Sequence, residues 1–366
     1  MSELISLAGL REIRVNGQQT LPSGHIFPFA ATGLSTAVGF SQYLELSSGW
    51  AKTGALQRTL DKHGAILLRG LPVTSPEEFS QLLHTFGWTP HLDVGNPVKR
   101  KGVAPAVAKA NEGPPSLYIA AHSEFGISNI FPSHICFWGS VVADKGGETP
   151  LNSSSWLYER LSAEIPEFVK DLQEKGVTYT IFHPAEALSG DANGNGVLNA
   201  WGAQIVLSDT PDAKKAKIEA EIQRISPETT WEWKEDGSLF TFQRVPAFRK
   251  HPTTGSVGVF GNISSYYWGS VKMGTVEPPH LTSTGFYKPP PRYGDDSLIP
   301  VKYLDKLMSI IEETRSSIKW EKYDVLIIDN LSTQHARLPW TKGNREILAS
   351  LWDSGLEKEH KHVKNL

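Results

Sequence analysis

A chain of 366 residues with a single cysteine, Cys136, has to be held together by burial alone. Disulfide frameworks, cysteine-ligated iron–sulfur clusters and structural zinc knuckles all need several thiols. At this length burial suffices, because a chain of this size removes roughly 75% of its unfolded surface from water. The apolar fraction, 39%, is that of an ordinary globular protein. Any metal it binds must then be held by histidine and carboxylate. A net charge of −3 lacks the basic footprint of a general nucleic-acid binder. No window of 18 apolar residues is present to span a membrane, and the N-terminus has no basic stretch followed by a long apolar run. The expected compartment is the cytoplasm, and the expected partner is a small molecule rather than nucleic acid or membrane. Self-association is left open.

The pattern along the chain reads as strands with helices outside them. Residues 41–62 place apolar side chains at helical spacing and lead into Ala65-Ile66-Leu67-Leu68, a short buried strand. Ser75-Pro76-Glu77-Glu78 is a helix start, with Ser75 as cap and acidic residues at the positive end of the dipole. Strands are expected between about 118 and 143, where His134 alternates with Cys136 and Trp138 as a core histidine. Residues 211–225 form an amphipathic helix with Ile218, Ile222 and Ile225 on one stripe. Strands follow over about 231–262, then a helix over 301–318 and a central strand at Val325-Leu326-Ile327-Ile328. Six of the 24 prolines fall in 271–300, which reads as a long surface loop. No composition shift marks a boundary, so residues 1–366 are expected to form one domain.

Without cysteine, an oxygen-activating iron site is typically built from two histidines and one carboxylate on one face of the metal, leaving three positions open. Two of these ligands often come as His-x-Asp or His-x-Glu, because residues i and i+2 of a strand project to one side. The pattern is weak by itself: twelve histidines and 39 acidic residues give about 1.3 matches by chance. Two occur, His91-Leu92-Asp93 and His122-Ser123-Glu124.

Context separates them. Gly146-Gly147-Glu148-Thr149-Pro150 follows the second, and Asp329-Asn330-Leu331-Ser332-Thr333-Gln334-His335-Ala336-Arg337 comes far downstream, followed by Arg345. With these elements the sequence resembles the taurine dioxygenase and clavaminate synthase-like family of Fe(II)- and 2-oxoglutarate-dependent oxygenases. The likeness extends to His63–Gly70, Ala110–Pro115 and the stretch from His251 to Asn262. It implies a mainly β fold with flanking helices, the core being a double-stranded β-helix (jelly roll). It also implies Fe(II), 2-oxoglutarate as cosubstrate and O2, with His122, Glu124 and His335 as metal ligands and Thr149 and Arg345 holding the distal carboxylate of 2-oxoglutarate. A planar guanidinium and a hydroxyl suit that carboxylate. By the same registration His91 and Asp93 are not ligands.

Three departures from the family pattern stand out. Glu124 replaces the commoner Asp, as in the clavaminate synthase-like branch, where substrates are often amino acids or their derivatives. Arg345 follows His335 by only ten positions, so Arg337 or Lys342 is a competing anchor. The interval from Thr149 to His335 is long, which suggests an insertion around 185–235. Candidate contacts to the second substrate are Asn111, Ser123, Asn129, Arg244, Arg249, Asn262 and Arg337, with Tyr266-Tyr267-Trp268 at a pocket entrance. The expected reaction is hydroxylation, desaturation or oxidative cyclisation of an amino acid or small carboxylate-bearing metabolite, with release of succinate and CO2. The alternatives are a non-oxidative hydrolase or isomerase on a cupin-like barrel and a binding protein that has lost the chemistry. A hydrolase or isomerase has no use for the Thr149–Arg345 pair.

Overall fold

The computed structural model describes residues 7–35, 38–91, 101–110, 113–186, 196–225, 227–283, 285–359 and 361–362. The strands that position the site are, in chain order, β1 (Phe29–Gly33), β2 (Ala65–Arg69), β3 (Ile119–His122), β4 (His134–Val141), β5 (Leu151–Ser153), β6 (Val177–His183), β7 (Leu239–Val245), β8 (Phe248–Lys250), β9 (Val257–Val259), β10 (Val325–Asp329), β11 (Thr333–Arg337) and β12 (Glu346–Asp353).

The major sheet runs β1-β2-β10-β4-β12 through its centre. Only the β1–β2 pair is parallel; the others are antiparallel. The run Val325–Ile328 is apolar at every position because β10 is covered on both faces, and all five of its residues are buried. Alternate residues divide between two cores. Ile66, Cys136, Trp138 and Ile327 face outward. That face is covered by the helices α1 (Phe40–Lys52), α2 (Ala55–His63) and α3 (Pro76–His84). Leu67, Ile135, Phe137 and Leu326 face inward, together with Leu151 of β5. The minor sheet, β5-β11-β3, lies on that inner side. Phe137 of β4 meets His335 of β11 edge-to-face, ring centroids 5.2 Å apart.

The helical stretch expected over 41–62 is two helices. Gly54 takes a left-handed φ of +70° and ends the first before the second begins. The start at Ser75 is a full capping box: its hydroxyl accepts the Glu78 N–H at 3.1 Å, and the Glu78 carboxylate accepts the Ser75 N–H at 3.2 Å. Ser75→Ala should therefore cost about 1 kcal/mol in urea unfolding without changing metal binding.

The remaining chain builds a second lobe of core beneath α4 (Ser154–Glu164), α5 (Pro166–Lys175) and a later helix, Val301–Thr314. The expected insertion contains two helices, α6 (Val197–Trp201) and α7 (Pro211–Ile225), and a strand, Thr230–Trp233, that extends the sheet of β7 and β6. Its Trp201, Ile218 and Ile222 pack with Leu239, and Ile130 from the loop after Glu124 joins them. The proline-rich segment does not lie wholly on the surface: Thr275, His280 and Ile299 are buried. The Thr275 hydroxyl donates to the Lys288 carbonyl at 2.6 Å. Among the described residues no helix is long and apolar enough to cross a membrane.

Candidate metal centre

Two short strands set the histidines face to face. β3 ends on His122, β11 carries His335, and their antiparallel register makes the two direct partners. Paired residues share a face of the sheet, and the ring centroids lie 4.3 Å apart. The carboxylate arrives differently from the strand geometry expected of His-x-Glu. The chain leaves the strand after His122 and turns, Phe125 taking a φ of +56°. Glu124 thereby brings Oε2 to 3.4 Å from His335 Nε2. One ligand atom from each of the three lies within 4.8 Å of the others.

The surroundings fit a cation. His122 Nδ1 donates to the Ala120 carbonyl at 2.9 Å, which leaves Nε2 with its lone pair for a metal. The buried Asn330 clamps the backbone of Glu124: Oδ1 accepts the Glu124 N–H at 2.8 Å, and Nδ2 donates to the Glu124 and Pro132 carbonyls at 3.0 and 2.8 Å. Nitrogen and oxygen donors with a carboxylate suit a divalent first-row metal such as Fe(II). Glu124→Asp should retain the metal with weaker affinity and most of its activity gone. One methylene less shortens the reach, and site geometry tolerates only about 0.5 Å. Metal titration and turnover check this; unchanged turnover in Glu124→Ala would remove Glu124 from the ligand set.

A second group, Asp61, His251 and Asp329, also brings three ligand atoms within 4.8 Å. Its hydrogen bonding argues for a structural role. His251 Nδ1 accepts the N–H groups of Thr253 and Thr254 at 3.3 and 3.2 Å, so its proton sits on Nε2 and is donated to Asp329 at 2.8 Å. Asp329 also accepts the Leu331 and Ser332 N–H groups at 2.9 and 3.2 Å. That pair ties the β8–β9 hairpin to the turn that precedes β11.

Next to the metal cluster, β5 pairs Leu151 with His335, and the chain just before it carries Thr149. Thr149 Oγ1 accepts N–H bonds from Arg345 Nη2 at 3.3 Å and Trp320 Nε1 at 3.1 Å. With two donors directed at its oxygen, the hydroxyl proton is left to donate onward to an acceptor. Arg345 Nε donates to the Gly147 carbonyl at 2.7 Å, which fixes the fork. Gly147 has a φ of +77°, and a Cβ there would fall 2.9 Å from Arg345 Cδ, so this glycine makes room for the guanidinium. Burial, and secondarily the nearby Arg337, push Arg345 down to about 10, which leaves it charged at neutral pH.

Other sequence candidates fall in several places. Arg337 is not a spare anchor: it is buried and donates to the carbonyls of Gly113, Pro114 and Leu117 at 3.3, 3.0 and 2.8 Å. Lys342 is exposed and 3.8 Å from Asp144. Arg244 is a surface group bonded to Thr230 and Asp296, away from the metal cluster. Arg249 is buried between the rings of Phe131 and Phe260, 4.6 and 4.5 Å away, a cation–π sandwich in which burial lowers it to about 9. The Ser123 hydroxyl accepts the Gly261 N–H at 3.2 Å. Asn262 turns its amide nitrogen to the Gly261 and Ser123 carbonyls, 3.0 Å from each. Both are therefore struts under the metal loop. Asn129 lies on the loop after Glu124, and Asn111 and Asp93 lie outside the described residues. His91 is not a member of the metal cluster: its Nδ1 lies 2.8 Å from Asp353 and its ring meets Phe125 edge-to-face at 5.4 Å. His134 is a core histidine held by stacking on Trp88 at 4.0 Å, and burial lowers it to about 4.

A cluster of two histidines and one carboxylate that could hold a metal, beside an arginine–threonine pair in a sheet-rich fold, is the arrangement expected of a non-haem iron oxygenase. Residues 27–352 match the family described as taurine catabolism dioxygenase TauD, TfdA, and the chain belongs to it. A clavaminate synthase-like protein of Arabidopsis thaliana is 29% identical over 297 residues, covering 81% of this chain and 83% of that one. The dapdiamide synthesis protein DdaC of Enterobacter agglomerans is 27% identical over 300 residues, covering 81% and 84%. In fold, the chain is similar to a taurine dioxygenase from Burkholderia xenovorans, with a TM-score of 0.50, 16% identity and coverage of 94% and 90%.

Proposed function

We propose that the chain is an Fe(II)- and 2-oxoglutarate-dependent oxygenase of a small, carboxylate-bearing metabolite, an amino acid or its derivative. The observation that carries this is the Thr149–Arg345 pair, whose hydroxyl and guanidinium are fixed beside the metal cluster and suit a carboxylate. On this reading His122, Glu124 and His335 hold the iron, which when bound supplies oxygen activation coupled to decarboxylation of the keto acid. The protein does the rest. Arg345 and Thr149 bind the distal carboxylate of 2-oxoglutarate and so orient its keto-acid end toward the metal. The buried Glu124 and His335 keep the centre away from bulk water. The major and minor sheets are proposed as the two walls of one double-stranded β-helix, with 185–235 inserted in a single domain. The family match and the likeness to the clavaminate synthase-like protein support the oxygenase reading.

The test is anaerobic titration of the iron-loaded protein with 2-oxoglutarate, read by the weak visible charge-transfer band of the chelate. Succinate release from a metabolite panel then follows. A band that does not form, or turnover indifferent to 2-oxoglutarate, would leave a hydrolase or isomerase as the better reading.

A further inference from the structure

Next to Asn262 lies a group of polar side chains that the metal centre and the keto-acid pair do not use. Tyr179 Oη accepts the Asn262 N–H at 2.9 Å, and its ring meets Tyr266 with centroids 4.8 Å apart. Lys288 places its ammonium 3.8 Å from the centre of the Tyr266 ring. Gln243 is the direct partner of Tyr179 across β6 and β7, so the two side chains share a face. The group is attached to the metal strand itself: Asn262 contacts Ser123, which lies between two ligands, and the Ser264 hydroxyl donates to the Ala121 carbonyl.

Lys288 is the unusual member. Among the described residues no carboxylate pairs with it and no acceptor takes its protons; its contact is with an aromatic face. Burial holds it down to about 8, and no acidic neighbour raises it. Gln243 is 97% buried (3% exposed), and its Oε1 has no hydrogen-bond partner. The Tyr266 hydroxyl likewise makes no hydrogen bond among the described residues, and burial pushes its ionisation upward. Lys288 and Tyr266 are half-buried, whereas Gln243 Oε1 is a fully buried acceptor; a buried polar group left unmet beside such side chains marks a position for a ligand. A cation over an aromatic ring, without a protein carboxylate, is a seat for an anion.

We propose that Lys288, seated over Tyr266 in the group that Tyr179 extends to Gln243, is the subsite that receives the carboxylate of the second substrate. This deepens the oxygenase reading and rests on it. None of the three touches Thr149 or Arg345, so the subsite is separate from the seat of the keto acid. Tyr266 supplies an apolar wall and a phenol, and Gln243 can both donate to and accept from a polar group beside the carboxylate.

The experiment uses the full chain loaded with Mn(II) and N-oxalylglycine, titrated by calorimetry with the proteinogenic L-amino acids and with their carboxamides. The expected result is that at least one acid binds and its carboxamide binds at least roughly 30-fold more weakly. Lys288→Met should weaken the acid by a similar factor and leave the carboxamide unchanged. Lys288→Arg should recover most of the affinity, which loss of packing alone would not produce. Gln243→Leu should weaken both forms. N-oxalylglycine binding should be the same in all variants, which also reports that each has folded; if Lys288→Met does not fold, Lys288→Gln takes its place. Three outcomes overturn the proposal: no acid binds the wild type, acid and amide bind equally, or the acid binds unchanged without the lysine. Failure of N-oxalylglycine to bind the metal-loaded wild type would instead overturn the oxygenase reading beneath it.

Discussion

His122→Ala and His335→Ala should each take metal binding below detection and abolish turnover, whereas His91→Ala should leave metal affinity unchanged. Each of the two histidines supplies one of three ligand atoms that lie within 4.8 Å of one another. Loss of a mere supporting partner of a ligand typically costs about 10–100-fold in affinity, so loss of a ligand itself costs more. His91 tests the choice between the two His-x-acid pairs. Its Nδ1 is committed to Asp353, and its backbone N–H bonds the Leu351 carbonyl of β12, a strand of the major sheet, whereas β11 belongs to the minor one. The measurement is calorimetric titration with Fe(II) under anaerobic conditions, with the unfolding midpoint of each apo variant as the control for folding. Metal retained by His122→Ala and lost by His91→Ala would overturn the assignment of the centre.

The clustering of His122, Glu124 and His335 was legible because these residue types carry a signature and the downstream motifs fix the register. The strand at Val325–Ile328 and the cap at Ser75 were legible for a similar reason: local pattern decides them. What holds the triad in place was not. Asn330 was visible only as a letter in a motif, since nothing in sequence says that its amide will close on the backbone of a residue 206 positions earlier. Arg249 read as a candidate for substrate because arginine usually seeks an anion. Its actual surroundings, two phenylalanine faces, come from separate segments that only the fold brings together. Lys288 and Gln243 gave no signal at all. A lysine in a proline-rich stretch reads as solvated, and its half-buried place over Tyr266 depends on how that stretch packs against the helix α8 (Ile263–Met273). The break at Gly54 was missed because apolar residues recur at helical intervals on both sides of it, and only the backbone conformation reveals two helices.

Arg345→Ala should raise the half-saturating concentration of 2-oxoglutarate by about 30- to several-thousand-fold while leaving metal affinity unchanged. Removing one partner of a buried charge pair costs roughly 2–5 kcal/mol, because the other charge stays desolvated and unpaired; at 1.4 kcal/mol per decade that gives the range stated. The structure narrows the competition for this role. Arg337 spends its guanidinium on the carbonyls of Gly113, Pro114 and Leu117, so Arg337→Ala should chiefly lower stability by freeing the segment before β3. Lys342 is exposed and should be neutral. Arg345→Lys should recover only part of the loss: an ammonium keeps the charge but cannot hold Gly147 and present a second prong at once. The readout is the 2-oxoglutarate dependence of succinate release, checked by direct binding of N-oxalylglycine to the Mn(II) form. An unchanged half-saturation in Arg345→Ala with a large rise in Arg337→Ala would move the anchor to Arg337. Because Thr149 takes its orientation from Arg345 and Trp320 together, Thr149→Val should show a smaller loss in the same assay, and Trp320→Phe a smaller one still. That order, Arg345 then Thr149 then Trp320, is what a carboxylate held by one charge and one oriented hydroxyl requires.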